Sequence, residues 1–109
     1  MDLSLKGMRA LVCGSSQGIG KEIAIELSNE GVEVVLIARS EESLKKVLNQ
    51  LSTKNNQKHH YIIANFEDDN DLNGKIKNFG ETHGKNFDIL INNTLEPLEF
   101  FFGFNSTHF

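Results

Sequence analysis

Three glycines, Gly14, Gly18 and Gly20, with Ser15, Ser16, Gln17 and Ile19 among them, are the residues whose types and spacing bear most directly on chemistry. An apolar run ends at Cys13 and an amphipathic pattern begins at Ile19, so the segment joins a strand to a helix. Positions without a side chain let the backbone turn sharply and approach a diphosphate closely. The free N–H groups opening the helix then face the anion. A dinucleotide is the ligand that such a turn suits. Glycine and serine at a strand-to-helix junction also serve plain turn geometry, so the surrounding elements must decide.

Other reactive side chains offer less. Cys13 ends an apolar run beside the turn, where a small buried side chain fits, and as the single cysteine it cannot form an internal disulfide. His59, His60, His83 and His108 lack a carboxylate or thiol at metal-ligand spacing, which predicts surface histidines and no metal site. A net charge of -4 with scattered basic residues gives no footprint for nucleic acid or an anionic membrane. No apolar run is long enough to span a bilayer. With one cysteine and no signal-peptide pattern at the N-terminus, the expected setting is a reducing cytoplasm.

The elements that must position the turn follow from hydrophobic patterning. Residues 8–13, 33–38, 61–64 and 87–91 are short, continuous apolar runs rich in β-branched residues, as in strands covered on both faces. Between them lie three helical patterns. Ile19, Ile23 and Leu27, with Ala24 beside them, predict the buried stripe of the first, and Gly31 its stop. Leu44, Val47, Leu48 and Leu51 mark the second, with Ser40 as its cap and Glu41 and Glu42 near its positive end. Leu72, Ile76 and Phe79 mark the third, preceded by the cluster at residues 68–71 and closed by Gly80 or Gly84. Strands alternating with helices predict an α/β fold, a Rossmann-like parallel sheet of about four strands in the order 3-2-1-4 with three crossover helices. The first two helices then cover one face and the third the other. A crevice opens between the first and fourth strands, at the Gly-rich turn.

The Gly-x-x-x-Gly-x-Gly turn, the Ile-Ala-Arg-Ser at residues 37–40, the Ala-Asn-Phe at residues 64–66 and the Phe-Asp-Ile-Leu-Ile-Asn-Asn at residues 87–93 together resemble the short-chain dehydrogenase/reductase family. The likeness is particularly to its 3-oxoacyl-carrier-protein reductase-like branch and covers about residues 5–94. The resemblance implies a partial dinucleotide-binding domain over residues 1–94, followed by a divergent Phe-rich tail at residues 95–109. It assigns Gly14, Ser15, Ser16, Gln17, Gly18, Ile19 and Gly20 to the diphosphate turn. Arg39 stands where NAD-preferring relatives usually carry an acid; a guanidinium there pairs with a 2′-phosphate, so the implied cofactor is NADP(H), with NAD less favoured. Asn65 replaces the family's usual Asp at the adenine amino group, where an amide oxygen can also accept, and Phe66 falls beside the adenine. Asn92 and Asn93 match the element that passes under the nicotinamide ribose, but Leu95 stands where the family has glycine.

The family's chemistry uses a serine and a Tyr-x-x-x-Lys pair, and no such set is identifiable. Tyr61 is the only tyrosine, and Asn65 stands four residues beyond it. The expectation is a dinucleotide-binding portion with little or no turnover of its own and no assignable catalytic residue. The chain stops just past the fourth strand, which predicts a bare sheet edge needing a cover, from a second copy or another protein chain. Phe100, Phe101, Phe102, Phe104 and Phe109 could supply that cover or a dimer contact, or could be sequence beyond a premature stop or frameshift. The alternative reading of the whole is a self-associating interaction module with vestigial nucleotide binding.

Overall fold

Side chains on successive strand residues point to opposite faces, so a strand apolar throughout needs cover on both. A computed structural model shows how that cover is arranged; it describes residues 5–14, 18–84, 87–93 and the backbone of 107–108. In chain order the elements are β1 (Arg9–Cys13), α1 (Gly18–Asn29), β2 (Glu33–Ala38), α2 (Glu41–Leu48), β3 (His60–Ile63), α3 (Asp69–His83), β4 (Ile89–Asn92) and the two-residue β5 (Thr107–His108). The sheet runs β3-β2-β1-β4-β5 with every pairing parallel, so the expected 3-2-1-4 order stands. Ala10, Val12, Val34 and Leu36 face α1 and α2, packing with Ala24, Leu44 and Val47. Leu11, Cys13, Val35 and Ile37 face the other way, onto Leu72, Ile76 and Phe79 of α3. The third helix therefore crosses the sheet. Among the described residues no helix is long and apolar enough to cross a membrane.

Some strand ends differ from the patterning. Phe87 is buried in the second cluster yet precedes β4, and Ala64 is buried just beyond β3 with its N–H still bonded to the Ala38 carbonyl. Apolarity reports burial, and only hydrogen-bond register reports the strand. At the far edge, β5 pairs with Ile89 and Leu90 of β4, and Ile89, Leu90 and Ile91 are all buried. The edge expected to be bare is thus occupied over those two residues. The remainder of the Phe-rich tail lies outside the described residues.

The stripe of α1 is also not the expected one. Ile19 is 68% exposed, and the residues that turn fully inward are Gly20, Ala24 and Ser28, with Ile23 and Leu27 only partly buried. A row of small residues lets the helix lie close against the strands, an arrangement that a search for large apolar side chains overlooks. Ser28 donates from Oγ to the Ile25 carbonyl (2.7 Å) and accepts from the Ser52 N–H (2.9 Å), tying α1 to the chain leaving α2.

Helix ends follow local rules. Ser40 caps α2 by accepting from the Ser43 N–H, and Asp68 caps α3 by accepting from the Asp71 N–H. Gly84, at φ +63°, closes α3, and Gly80 lies inside that helix. Gly31 ends α1 at φ +86°, a conformation that costs other residues roughly 1–2 kcal/mol. A β-carbon at Gly31 would also lie 2.9 Å from Asn55 Nδ2, 3.1 Å from Lys6 Cγ and 3.2 Å from Lys6 Cβ, all side-chain and not backbone atoms. Gly31→Ala is therefore expected to lower unfolding stability by about 1–2 kcal/mol in urea titrations, with the fold unchanged.

The strands' amino ends carry a polar cluster that corrects the expectation of surface histidines. Arg9, 5% exposed, ion-pairs through Nε with Glu33, lies 5.4 Å from the Phe79 ring centre and is bracketed by Asp88, whose carboxylate accepts its backbone N–H at 2.9 Å. His60 meets Phe79 and His83 edge-on at 5.2 and 4.6 Å, while the Phe79 and His83 rings stack at 4.0 Å. His59 accepts the Val34 N–H at Nδ1 (2.9 Å) and donates from Nε2 to the Ser52 carbonyl (2.7 Å), which fixes its tautomer. The side chain of His108 lies outside the described residues.

Burial holds the His60 imidazole below its ordinary value; His83, Arg9 and His59 push the same way, and Glu33 opposes them. Between the lowered folded value and the ordinary one, near 6.5, the unfolded chain binds more protons than the folded one, so acid favours unfolding. Stability from this group is complete above about pH 6.5 and is lost as pH falls through the folded value. The thermal midpoint should drop between pH 7.5 and 5.5, and His60→Gln should flatten that slope. An unchanged slope in the variant would exclude His60 as its source.

Candidate dinucleotide site

All four main strands point their carboxyl ends to one rim, and the chain reverses its winding between β1 and β4 there. Gly14 leaves β1 at φ +75°, its N–H bonded to the Ile37 carbonyl at 3.0 Å. From the other side of the reversal, Asn93 donates its backbone N–H to the Cys13 carbonyl (3.0 Å) and its Nδ2 to the Gly14 carbonyl (3.4 Å). Gly20 sits so close that a β-carbon would lie 2.4 Å from the Gly14 oxygen. The turn thus stands in a cradle that only glycine at this position permits.

Gly18, at φ +64°, differs: a β-carbon there would meet no described residue within 4 Å. That glycine is required by conformation and not by contact with a described residue. The first turn of α1 carries N–H groups without intrahelical acceptors and has no acidic side chain of its own. The N–H groups opening α1 and a tight glycine cradle beside them fit a diphosphate. Ser15, Ser16 and Gln17 lie outside the described residues. Ile19 is displayed toward solvent beside the turn, and Asn92 closes β4 opposite Cys13, half-buried.

A second feature lies at the ends of β2 and β3, where Arg39, Ile63, Ala64, Asn65, Asp71 and Lys75 line an open depression of about 240 Å³. Arg39 is exposed, and no hydrogen bond or ion pair among the described residues engages it. Glu41, the nearest acid along the chain, is instead turned to the Tyr61 hydroxyl, which donates to it at 2.7 Å, and to Lys45 at 4.0 Å. Bonding to Glu41 raises the Tyr61 phenol above its ordinary value and keeps its proton in place. Asp71 accepts the Asn65 N–H at 3.1 Å and pairs with Lys75 at 3.2 Å, and these contacts, in that order, lower its carboxyl below the usual range. Lys75 also donates to the Ile63 carbonyl at 2.7 Å. The lining therefore carries two cations and one anion.

The sequence reading placed Arg39 and Asn65 at this end, and the structure brings them together. Phe66 packs against the second core cluster and is not in the lining. Asp71 and Lys75 were missed; their i,i+4 spacing on α3 was a visible signal, but their place at the rim depends on how α3 crosses the sheet. Asn93, read beside Asn92, makes the tie to the turn. Cys13 is fully buried, which pushes its thiol far above the ordinary value and leaves it unreactive. Among the described residues no group of three or more potential metal ligands occurs.

A parallel sheet wound in both directions, with a glycine cradle at the reversal, defines a Rossmann-like α/β unit. The chain belongs to the short chain dehydrogenase family, whose model matches residues 8–98. It is 38% identical over 90 residues to a very-long-chain 3-oxoacyl-CoA reductase of Pyricularia oryzae, covering 81% of this chain and 27% of that protein. With the uncharacterized oxidoreductase YvaG of Bacillus subtilis it shares 36% over 104 residues, 93% of this chain and 38% of the relative. Among solved structures, L-sorbose reductase from Gluconobacter frateurii, complexed with NADPH and L-sorbose, superposes with a TM-score of 0.77 at 28% identity, over 88% of this chain and 36% of that one. This chain spans well under half the length of these relatives and corresponds to their N-terminal part.

Proposed function

We propose that this chain is the NADP(H)-binding portion of a carbonyl/alcohol oxidoreductase, of the 3-oxoacyl reductase kind, and that it does not turn over substrate alone. The observation that carries the cofactor reading is the exposed Arg39 guanidinium, engaged by no other described residue, in the lining at the β2 end, while Glu41 is drawn away to Tyr61 and Lys45. A guanidinium about 20 residues beyond the glycine turn suits a 2′-phosphate, and a free acid would repel one. The glycine cradle and the first turn of α1 would hold the diphosphate, with Arg39 at the adenosine ribose and Asn93 bracing the turn. A bound nicotinamide supplies hydride.

The chain lacks the matching acid. Tyr61 is its sole tyrosine, with Asn65 four residues on, and its hydroxyl is given to Glu41. The substrate class, 3-oxoacyl thioesters, rests on the names of the relatives, and a cytoplasmic setting is part of the same proposal. Titration with NADPH and with NADH, followed by calorimetry, tests the cofactor reading. NADPH should bind at least about tenfold tighter; equal affinities or no binding would reject it. Mixing the NADPH-loaded chain with a 3-oxoacyl thioester should leave absorbance at 340 nm, on the order of the usual reduced-nicotinamide band, unchanged. A steady decline would reject the claim of no turnover.

A further inference from the structure

Arg39 can serve a phosphate only if no acid of this chain takes its guanidinium first. Glu41 is the acid nearest to it along the chain, with only Ser40 between them. Two residues span at most about 7 Å of backbone, so an ion pair between these two exposed side chains is within reach. A carboxylate makes the same forked hydrogen bonds to a guanidinium that a phosphate makes, so such a pair would occupy Arg39 and set a negative charge beside the ligand's own. Yet Glu41 suits its helix, because an acid in the first turn of α2 meets the positive end of the dipole. The position favours the helix and endangers the site.

A side chain from β3 relieves that conflict. Tyr61 lies opposite Leu36 in the β2–β3 register, its ring packs against the first core cluster, and its hydroxyl donates to Glu41 Oε2 at 2.7 Å. The other oxygen, Oε1, lies 4.0 Å from Lys45 Nζ, a long pair between side chains that are each at least half exposed, which holds the carboxylate only weakly. The tyrosine bond is the firmer tie, because core packing fixes where the hydroxyl stands. We propose that Tyr61 is a positioning residue for cofactor selection: by holding the Glu41 carboxylate it keeps the Arg39 guanidinium available to a 2′-phosphate. The inference rests on the cofactor reading above and adds to it a residue that lies outside the lining of the Arg39 depression.

The test is calorimetric titration with NADPH and with NADH of wild type, Tyr61→Phe, Glu41→Gln and the double variant, with a thermal melt on each. Phenylalanine keeps the ring in the core cluster and removes only the hydroxyl, so Glu41 is released without loss of packing. Tyr61→Phe should lower the preference for NADPH over NADH by about threefold to fivefold, the effect of an exposed ion pair, and the deficit should shrink as salt rises. Adding Glu41→Gln should restore the wild-type preference, because an amide has no charge to pair with Arg39, whereas a deficit caused by a disturbed β3 would persist. Glu41→Gln alone should stay within about twofold of wild type, since the carboxylate it removes is already held away. That variant tests the clamp without altering β3, even if Tyr61→Phe unfolds. An unmoved preference in Tyr61→Phe, a deficit that survives in the double variant, or a preference raised about threefold or more by Glu41→Gln alone overturns this inference and leaves the cofactor reading standing. A wild-type chain with no preference for NADPH overturns both.

Discussion

Gly20→Ala should destabilise the chain by about 2–3 kcal/mol and abolish measurable dinucleotide binding. The added β-carbon would lie 2.4 Å from the Gly14 carbonyl oxygen and 3.1 Å from both the Gly14 carbonyl carbon and Asn93 Nδ2. Two of those three atoms are backbone, so relief requires moving the start of α1 away from β1 or rotating the Gly14 peptide. Either movement breaks the Asn93 tie to Gly14 and carries the first-turn N–H groups away from the position that a diphosphate needs. Gly31→Ala provides the comparison, because its close neighbours are side chains at the opposite end of α1. That variant should lose stability but keep NADPH affinity, whereas Gly20→Ala should lose both. Urea unfolding and NADPH titration on the two proteins measure the contrast, and a Gly20→Ala protein that binds NADPH like wild type would show that the cradle is not the diphosphate site.

The parts of this architecture that were legible in the sequence are those set by local chemistry. Continuous apolarity marked four strands, Ser40 and Asp68 sat where helices begin, and the glycine spacing marked the turn. What was not legible depends on distance in space. The stripe Gly20, Ala24, Ser28 is buried because α1 lies close to the sheet, and small residues carry too little apolar signal to announce it. Arg9 lies unmarked inside the apolar run at residues 8–13, and its burial depends on Glu33 pairing with it across the β1–β2 ladder and on Phe79 of α3. His59 and His60 likewise acquire roles only through Val34, Ser52, Phe79 and His83. At the site, glycines could be read because their reason is conformational. Asp71 and Lys75 could not, because theirs is the meeting of α3 with the end of β3.

The same distinction bears on the proposed cofactor, where Arg39 is the side chain expected to separate the two nucleotides. Arg39→Asp should weaken NADPH by about a hundredfold, strengthen NADH several-fold and so invert the preference of the chain. Charge-assisted hydrogen bonds contribute roughly 1.5–3 kcal/mol, and the new carboxylate adds repulsion toward a 2′-phosphate while gaining hydrogen bonds from free ribose hydroxyls. Because Arg39 is exposed and engages no other described residue, its replacement should leave the unfolding midpoint nearly unchanged, which separates a ligand effect from a folding effect. Arg39→Gln divides the loss into its parts: removal of the attraction alone should cost NADPH about tenfold without helping NADH. The preference of wild type should also shrink as salt rises, since the pairing is exposed to solvent. Lys75 is the other cation in the lining, held to Asp71 and the Ile63 carbonyl. If Arg39→Asp still preferred NADPH, the phosphate would have to be held there instead, at the expense of the ties that fix α3 to the end of β3.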